Sequence, residues 1–228
     1  MKRVLRLLEE QRLHSHAFLA KSSRQDSFSE NQERIFAALM GPTPLAVLPM
    51  LDDMAASQAL LLRDKNGMSL LHFSARLGCW EVMDRMLQIN PQLCDQMTSP
   101  VGRPAHWSPL MILIDAGQAR DPQTFRYMLA RLLQETSLTT IEARGANGTS
   151  ALHMATSKGM FNATKQILYA VYNKNRADLA AFGLVTSMLN TPNGRGAGCV
   201  SGLRLLIGLY CFSFGCVVSF FDGVDAAV

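Results

Sequence analysis

Asn66-Gly67-Met68-Ser69-Leu70-Leu71-His72-Phe73-Ser74-Ala75, closed by Gly78, returns as Asn147-Gly148-Thr149-Ser150-Ala151-Leu152-His153-Met154-Ala155-Thr156, closed by Gly159, with the same internal offsets. Between them, Ser108-Pro109-Leu110-Met111-Ile112-Leu113 keeps the same distance from its Ser to Gly117. Internal repetition on this scale is the mark of stacked copies of one supersecondary unit. Gly67 and Gly148 tolerate the positive φ of a turn, Ser69, Ser108 and Ser150 cap the N-termini of short helices, and Pro109 suits a first helical position. Gly78, Gly117 and Gly159 read as helix-terminating positions. Leu71 and Ala75, then Val82, Met86 and Leu87 beyond the turn, fall where paired short helices would face a neighbouring pair.

These residues resemble the ankyrin repeat, whose pattern runs Asp-x-x-Gly-x-Thr-Pro-Leu-His-x-Ala, a Gly a few residues on, then a Val and a Leu-Leu pair. The first unit, around Asp64 to Leu87, carries Asp64, Gly67, Ser69, Leu71, His72, Ala75, Gly78, Val82 and Leu87. The third, Gly148 to Leu168, carries Gly148, Ser150, Leu152, His153, Ala155, Gly159, Ile167 and Leu168, with Gly145 where the family usually has Asp. The middle unit, Ser108 to Leu133, keeps Ser108, Pro109, Leu110 and Gly117 but has Met111 in place of His. The resemblance implies an all-α fold: an ankyrin-repeat solenoid of about four stacked helix pairs with elongated loops, acting as a protein-docking surface. It also implies that His72 and His153 tie neighbouring units together by hydrogen bonding, a structural role and not a catalytic one.

The spacing is wider than the family's repeat of about 33 residues: 39 positions separate His72 from Met111, and 42 separate Met111 from His153. Insertions must therefore lengthen the connections. The first, around Asn90 to Trp107 with Pro91, Pro100 and Pro104, reads as an extended finger; the second is Gln118 to Gln123, ahead of a helix expected over Thr124 to Glu135. Upstream, residues 29–62 read as an atypical capping pair, with amphipathic helices over Ser29 to Met40 and Leu45 to Met54 separated by Gly41-Pro42-Thr43-Pro44. Residues 1–28 read as a polar and basic helical segment in which Glu9 and Glu10 argue against an organellar presequence and interrupt any secretory signal. The repeat region, 63–196, stops abruptly: Leu189-Asn190-Thr191-Pro192-Asn193-Gly194 opens like a fourth unit, but Arg195-Gly196-Ala197-Gly198-Cys199 does not continue it.

Beyond lies an apolar tail, 197–228, with a candidate transmembrane helix at 203–221. Leu205 to Phe221 is uncharged, close to the shortest run able to span a bilayer, and flanked by Arg195 and Arg204 on one side and acidic residues on the other. As a membrane anchor it would leave the repeats in the cytosol. The competing reading is a tail produced by alternative splicing or a shifted reading frame, on a soluble protein or a regulatory fragment of a larger ankyrin-containing enzyme or channel. A buried terminal helix is a third reading.

The 228 residues carry a formal net charge of +4 with Lys and Arg scattered along the chain, so nucleic acid is not an expected partner. Five cysteines at irregular spacing suit neither a disulfide framework nor a zinc motif, and a reducing, cytoplasmic setting is expected. His14 and His16 lack partners at ligand spacing, and Gly194 to Gly198 lacks the phosphate-binding patterns. No nucleophile with an aligned base and no paired carboxylates appear, so neither an enzyme nor a cofactor is expected. The residues expected to meet a partner are Arg63, Lys65, Arg103, Trp107 and Arg144, which recur at or near loop tips. They would form a mildly basic edge for an acidic segment, with Trp107 as an aromatic anchor.

Overall fold

α1 covers residues 30–40 in a computed structural model that describes residues 30–52, 56–100, 104–117, 121–174 and 192. The chain divides into two compact units, residues 1–50 and 51–228. In the first, α1 buries Ile35, Phe36 and Leu39, whose spacing puts them on one helical face. After Gly41 the chain makes a 3-10 turn over Pro44–Val47 and passes into α2, Leu48–Asp52. The single helix expected from Leu45 to Met54 is thus a 3-10 turn followed by a short helix. Pro49 lacks the N–H that would bond back to Leu45, which accounts for the break.

In the second unit α3 spans Ala56–Leu61, and then the chain repeats a pairing of a short helix with a longer one. α4 (Leu70–Leu77) pairs with α5 (Trp80–Ile89), α6 (Pro109–Ala116) with α7 (Pro122–Glu135), and α9 (Ala151–Ser157) with α10 (Phe161–Lys174). A further short helix, α8 (Leu138–Glu142), precedes the last pair and has no counterpart in the sequence reading. The short helices α4, α6 and α9 pack on one another in chain order, and so do the longer α5, α7 and α10, giving two layers. The described residues are mostly helical; their named β pairings are two isolated bridges, Arg63 with Ser69 and Arg144 with Ser150.

This layering explains the composition of α6. Pro109 to Ile114 are all buried, because α6 is sandwiched between α4 and α9 and backed by α7. A helix covered on so many sides must be apolar around most of its circumference. α5 and α7 bury Val82, Met83, Met86 and Leu87, and Met128, Leu129, Leu132 and Leu133, in helical register.

The segment after α5, expected as an extended finger, is described except for residues 101–103. It opens with a 3-10 turn, Pro91–Asp95, that buries Leu93 and Cys94, and Asn90 caps it by accepting from Gln92 N at 2.9 Å. Thr98 then closes the loop on itself: its Oγ1 donates to the Pro104 carbonyl at 2.6 Å and accepts from Trp107 N at 2.9 Å. α7 begins at Pro122, two residues before the expected Thr124, because Asp121 caps it by accepting from Thr124 N at 2.7 Å. Residues 1–28 and the tail 197–228, including 203–221, lie outside the described residues. Of the expected fourth-unit opening, Pro192 is described. Among the described residues no helix is long and apolar enough to cross a membrane.

Candidate protein-interaction edge

Ahead of α4 and α9 the chain makes the same turn twice. Asp64 N donates to Met68 O at 2.9 Å and Gly67 N to Asp64 O at 2.9 Å; Gly145 N donates to Thr149 O at 3.0 Å and Gly148 N to Gly145 O at 2.8 Å. Gly67 and Gly148 sit at φ 73° and 71°, the left-handed region that the sequence pattern requires of them. Gly67 has a second constraint, since a Cβ there would lie 2.6 Å from Ser99 N. The two turns are braced differently. In the first turn Asp64 accepts from Asn66 N and Met68 N at 2.9 and 2.7 Å, whereas in the second Asn147 accepts from Thr149 N at 3.1 Å.

The helices that follow are capped by Ser together with His. Ser69 N donates to His72 Nδ1 at 3.1 Å, which makes Nδ1 an acceptor and leaves the proton on Nε2. That Nε2–H donates to the Trp107 carbonyl at 3.0 Å, so one imidazole fastens the first helix pair to the turn that opens the second. His72 is completely buried, and burial drives its pKa down from 6.5 to about 4, the Trp107 hydrogen bond opposing the shift. Ser150 and His153 repeat the cap, with Oγ and Nδ1 2.7 Å apart. In the middle unit Ser108 accepts from Met111 N at 3.3 Å, but the Met111 side chain offers no donor to the next unit.

At that second junction Trp107 and Gly145 meet directly. A Cβ on Gly145 would lie 2.8 Å from Trp107 Nε1 and 2.9 Å from its Cδ1, so the indole lies against a bare backbone. This accounts for Gly145 standing where the first turn has Asp64, and it gives the half-buried Trp107 ring an intramolecular partner. Gly117 likewise owes its identity to close approach. Its φ is −63°, an ordinary helical value, but a Cβ would lie 2.4 Å from the Phe125 ring. α6 ends at Ala116 with Gly117 as its C-cap, in a right-handed conformation.

The turns form a continuous edge. Ser99 N donates to Asn66 O at 3.0 Å, and Ala146 N donates to Ala105 O at 3.2 Å. Arg63 Nη1 reaches the Met97 carbonyl at 2.9 Å, and Arg144 Nη1 reaches the Pro192 carbonyl at 2.8 Å. Both guanidinium groups thus occupy equivalent places, each stapling its own turn to the next segment. Of the five residues expected at a partner, Arg63, Lys65, Trp107 and Arg144 fall on or beside this edge, and Arg103 lies outside the described residues. Lys65 and Arg144 are exposed and Arg63 is half-buried. The bracing roles of Asp64, Thr98 and Asn147 were not assigned from the sequence, although Asp and Asn two residues before a turn amide are a recognisable signal for such bonds. Compared with known proteins, the chain matches no family model and no curated protein.

Proposed function

We propose that this chain is an ankyrin-repeat module that binds a partner protein along the edge made by its turns, and that it is not an enzyme. The observation that carries the reading is the pair of tip-to-tip backbone bonds, Ser99 N to Asn66 O and Ala146 N to Ala105 O, which join three helix-pair units along one side. An edge tied in this way holds exposed side chains at fixed separations, the condition for presenting an extended binding surface at small entropic cost. The Asp64-to-Leu87 and Gly148-to-Leu168 motifs supply the family.

Because Arg63 and Arg144 brace the turns, the cationic contact to an acidic partner segment rests chiefly on Lys65 and Arg103. Reversing both, Lys65→Glu with Arg103→Glu, is expected to weaken capture of the partner by the full chain while the thermal midpoint stays in place. Undiminished capture would refute this edge as the binding surface. The run Leu205 to Phe221 supports a membrane tether for the module, and resistance of the full chain to alkaline extraction from membranes tests it. Messengers that continue past Gly194 into a complete repeat would favour the replaced-tail alternative.

A further inference from the structure

Both matched turns carry an asparagine directly before their glycine, Asn66-Gly67 and Asn147-Gly148; a further such pair, Asn193-Gly194, lies outside the described residues. In such a pair the glycine nitrogen, unhindered by a neighbouring side chain, is able to attack the asparagine carboxamide. The bond from that nitrogen to Cγ forms, the bond from Cγ to Nδ2 breaks, and ammonia leaves with the proton of the glycine N–H. Water then opens the resulting succinimide at either carbonyl, giving aspartate or isoaspartate. Both glycine nitrogens are engaged in the native turns, Gly67 N with Asp64 O at 2.9 Å and Gly148 N with Gly145 O at 2.8 Å, so each turn must open locally before the attack. The two pairs therefore differ in what else that opening breaks.

Asn66 is half-buried and firmly held. Its N and Nδ2 donate to the two Asp64 carboxylate oxygens at 2.9 and 3.1 Å, and its carbonyl accepts from Ser99 N at 3.0 Å. Met68 N, on the far side of the glycine, donates to the same carboxylate at 2.7 Å. Asn147 is exposed, and among the described residues its side chain is held by one bond, from Thr149 N to Oδ1 at 3.1 Å. That bond falls on the oxygen where negative charge builds as the nitrogen adds, and so favours the attack. The Asp64 carboxylate beside Asn66 opposes the same charge. The second turn has Gly145 in the place of Asp64, where a Cβ would lie 2.8 Å from Trp107 Nε1, so the indole excludes a protecting carboxylate. We infer that Asn147-Gly148 is a site of spontaneous deamidation in the native protein, and that Asp64 protects Asn66-Gly67. The product places a carboxylate on the exposed tip beside Arg144, and isoaspartate also lengthens the backbone inside the turn. This chemistry stands whether or not the edge binds a partner.

The test is peptide mapping by mass spectrometry of the full chain held in mildly alkaline buffer, with and without urea. In the native protein Asn147 should convert at least about tenfold faster than Asn66, whereas in urea the two rates should agree within about twofold. Isoaspartate, read as methyl acceptance by an isoaspartyl methyltransferase, should be present in the peptide that contains position 147. Asp64→Asn keeps an oxygen for the turn amides and loses the one that holds Asn66 Nδ2. It should speed conversion of Asn66 about fivefold and leave that of Asn147 unchanged. An Asn147 that stays intact in the native protein while it converts in urea would overturn the proposal, as would an Asn66 that keeps pace with it in the native protein. Aspartate without isoaspartate at 147 would overturn the succinimide route. In Asp64→Asn, an Asn66 as slow as in the parent, or an equal rise at both positions, would overturn the protection by Asp64.

Discussion

His72 sits where two units meet, and its chemistry depends on staying neutral. Nδ1 already accepts from Ser69 N, so a proton there would displace that bond inside a buried site. With the folded pKa near 4 and the unfolded value at 6.5, the unfolded chain binds more protons between those values. The associated stability is present above pH 6.5 and is lost as pH falls towards 4. The loss should reach about 3 kcal/mol by pH 4, read from urea midpoints. In His72→Leu the contribution of this residue to the pH slope should vanish. At pH 7 that variant should be less stable by about 2–4 kcal/mol, because Ser69 N and the Trp107 carbonyl lose their partner. An unchanged pH slope would contradict this. Gly145→Ala should cost about 1–3 kcal/mol, because its new methyl meets the Trp107 indole, and should alter tryptophan emission. Cys94 is buried, and burial raises its thiol pKa to about 12, so a disulfide reagent should modify the half-buried Cys79 well before Cys94 in the native protein.

Between elements, polar ladders supplement the apolar layers. Arg131 on α7 bonds Asp84 on α5 through Nε at 2.9 Å and pairs with Glu135 on its own helix; Gln88 Nε2 donates to the other Asp84 oxygen at 3.1 Å. Arg85 continues the line to Asp52 at 2.8 Å. On the short-helix layer, Lys158 Nζ donates to the Asp115 carbonyl at 2.6 Å and to its carboxylate at 2.7 Å, so the turn after α9 caps the end of α6. Arg131→Met should lower stability by about 1 kcal/mol, since the pairs are partly solvated, and the loss should shrink in high salt. A thermal melt with no shift would show that α5 and α7 are held by apolar packing alone. At this scale the sequence was a partial guide. Turn glycines, capping serines and the periodic apolar residues of α4, α5 and α9 were readable because each is a local requirement. α8 was not: it is five residues long, and it is anchored by Asp95 accepting from Ser137 N and Oγ at 2.9 and 2.8 Å, a contact across 42 positions that no local pattern announces. Thr98 closing the long loop is missed because a hydroxyl bonded to backbone six and nine positions on leaves no repeating pattern in the sequence.

For the second unit as a whole, the repetition in sequence becomes two layers of helices and one row of connected turns. The candidate edge was legible as a set of positions but not as a set of roles. Loop-tip spacing brought Arg63, Lys65, Trp107 and Arg144 to one side, yet Arg63 and Arg144 reach neighbouring carbonyls and Trp107 reaches Gly145, partners that only folding supplies. The claim beneath the proposed binding edge is that these units are tied to one another through their turns. Residue-resolved hydrogen exchange of the Ser99 and Ala146 amides tests it most directly. If the turns are joined, both amides exchange at least about tenfold more slowly than in an unstructured chain; exchange at unstructured-chain rates at both positions would contradict the connected edge.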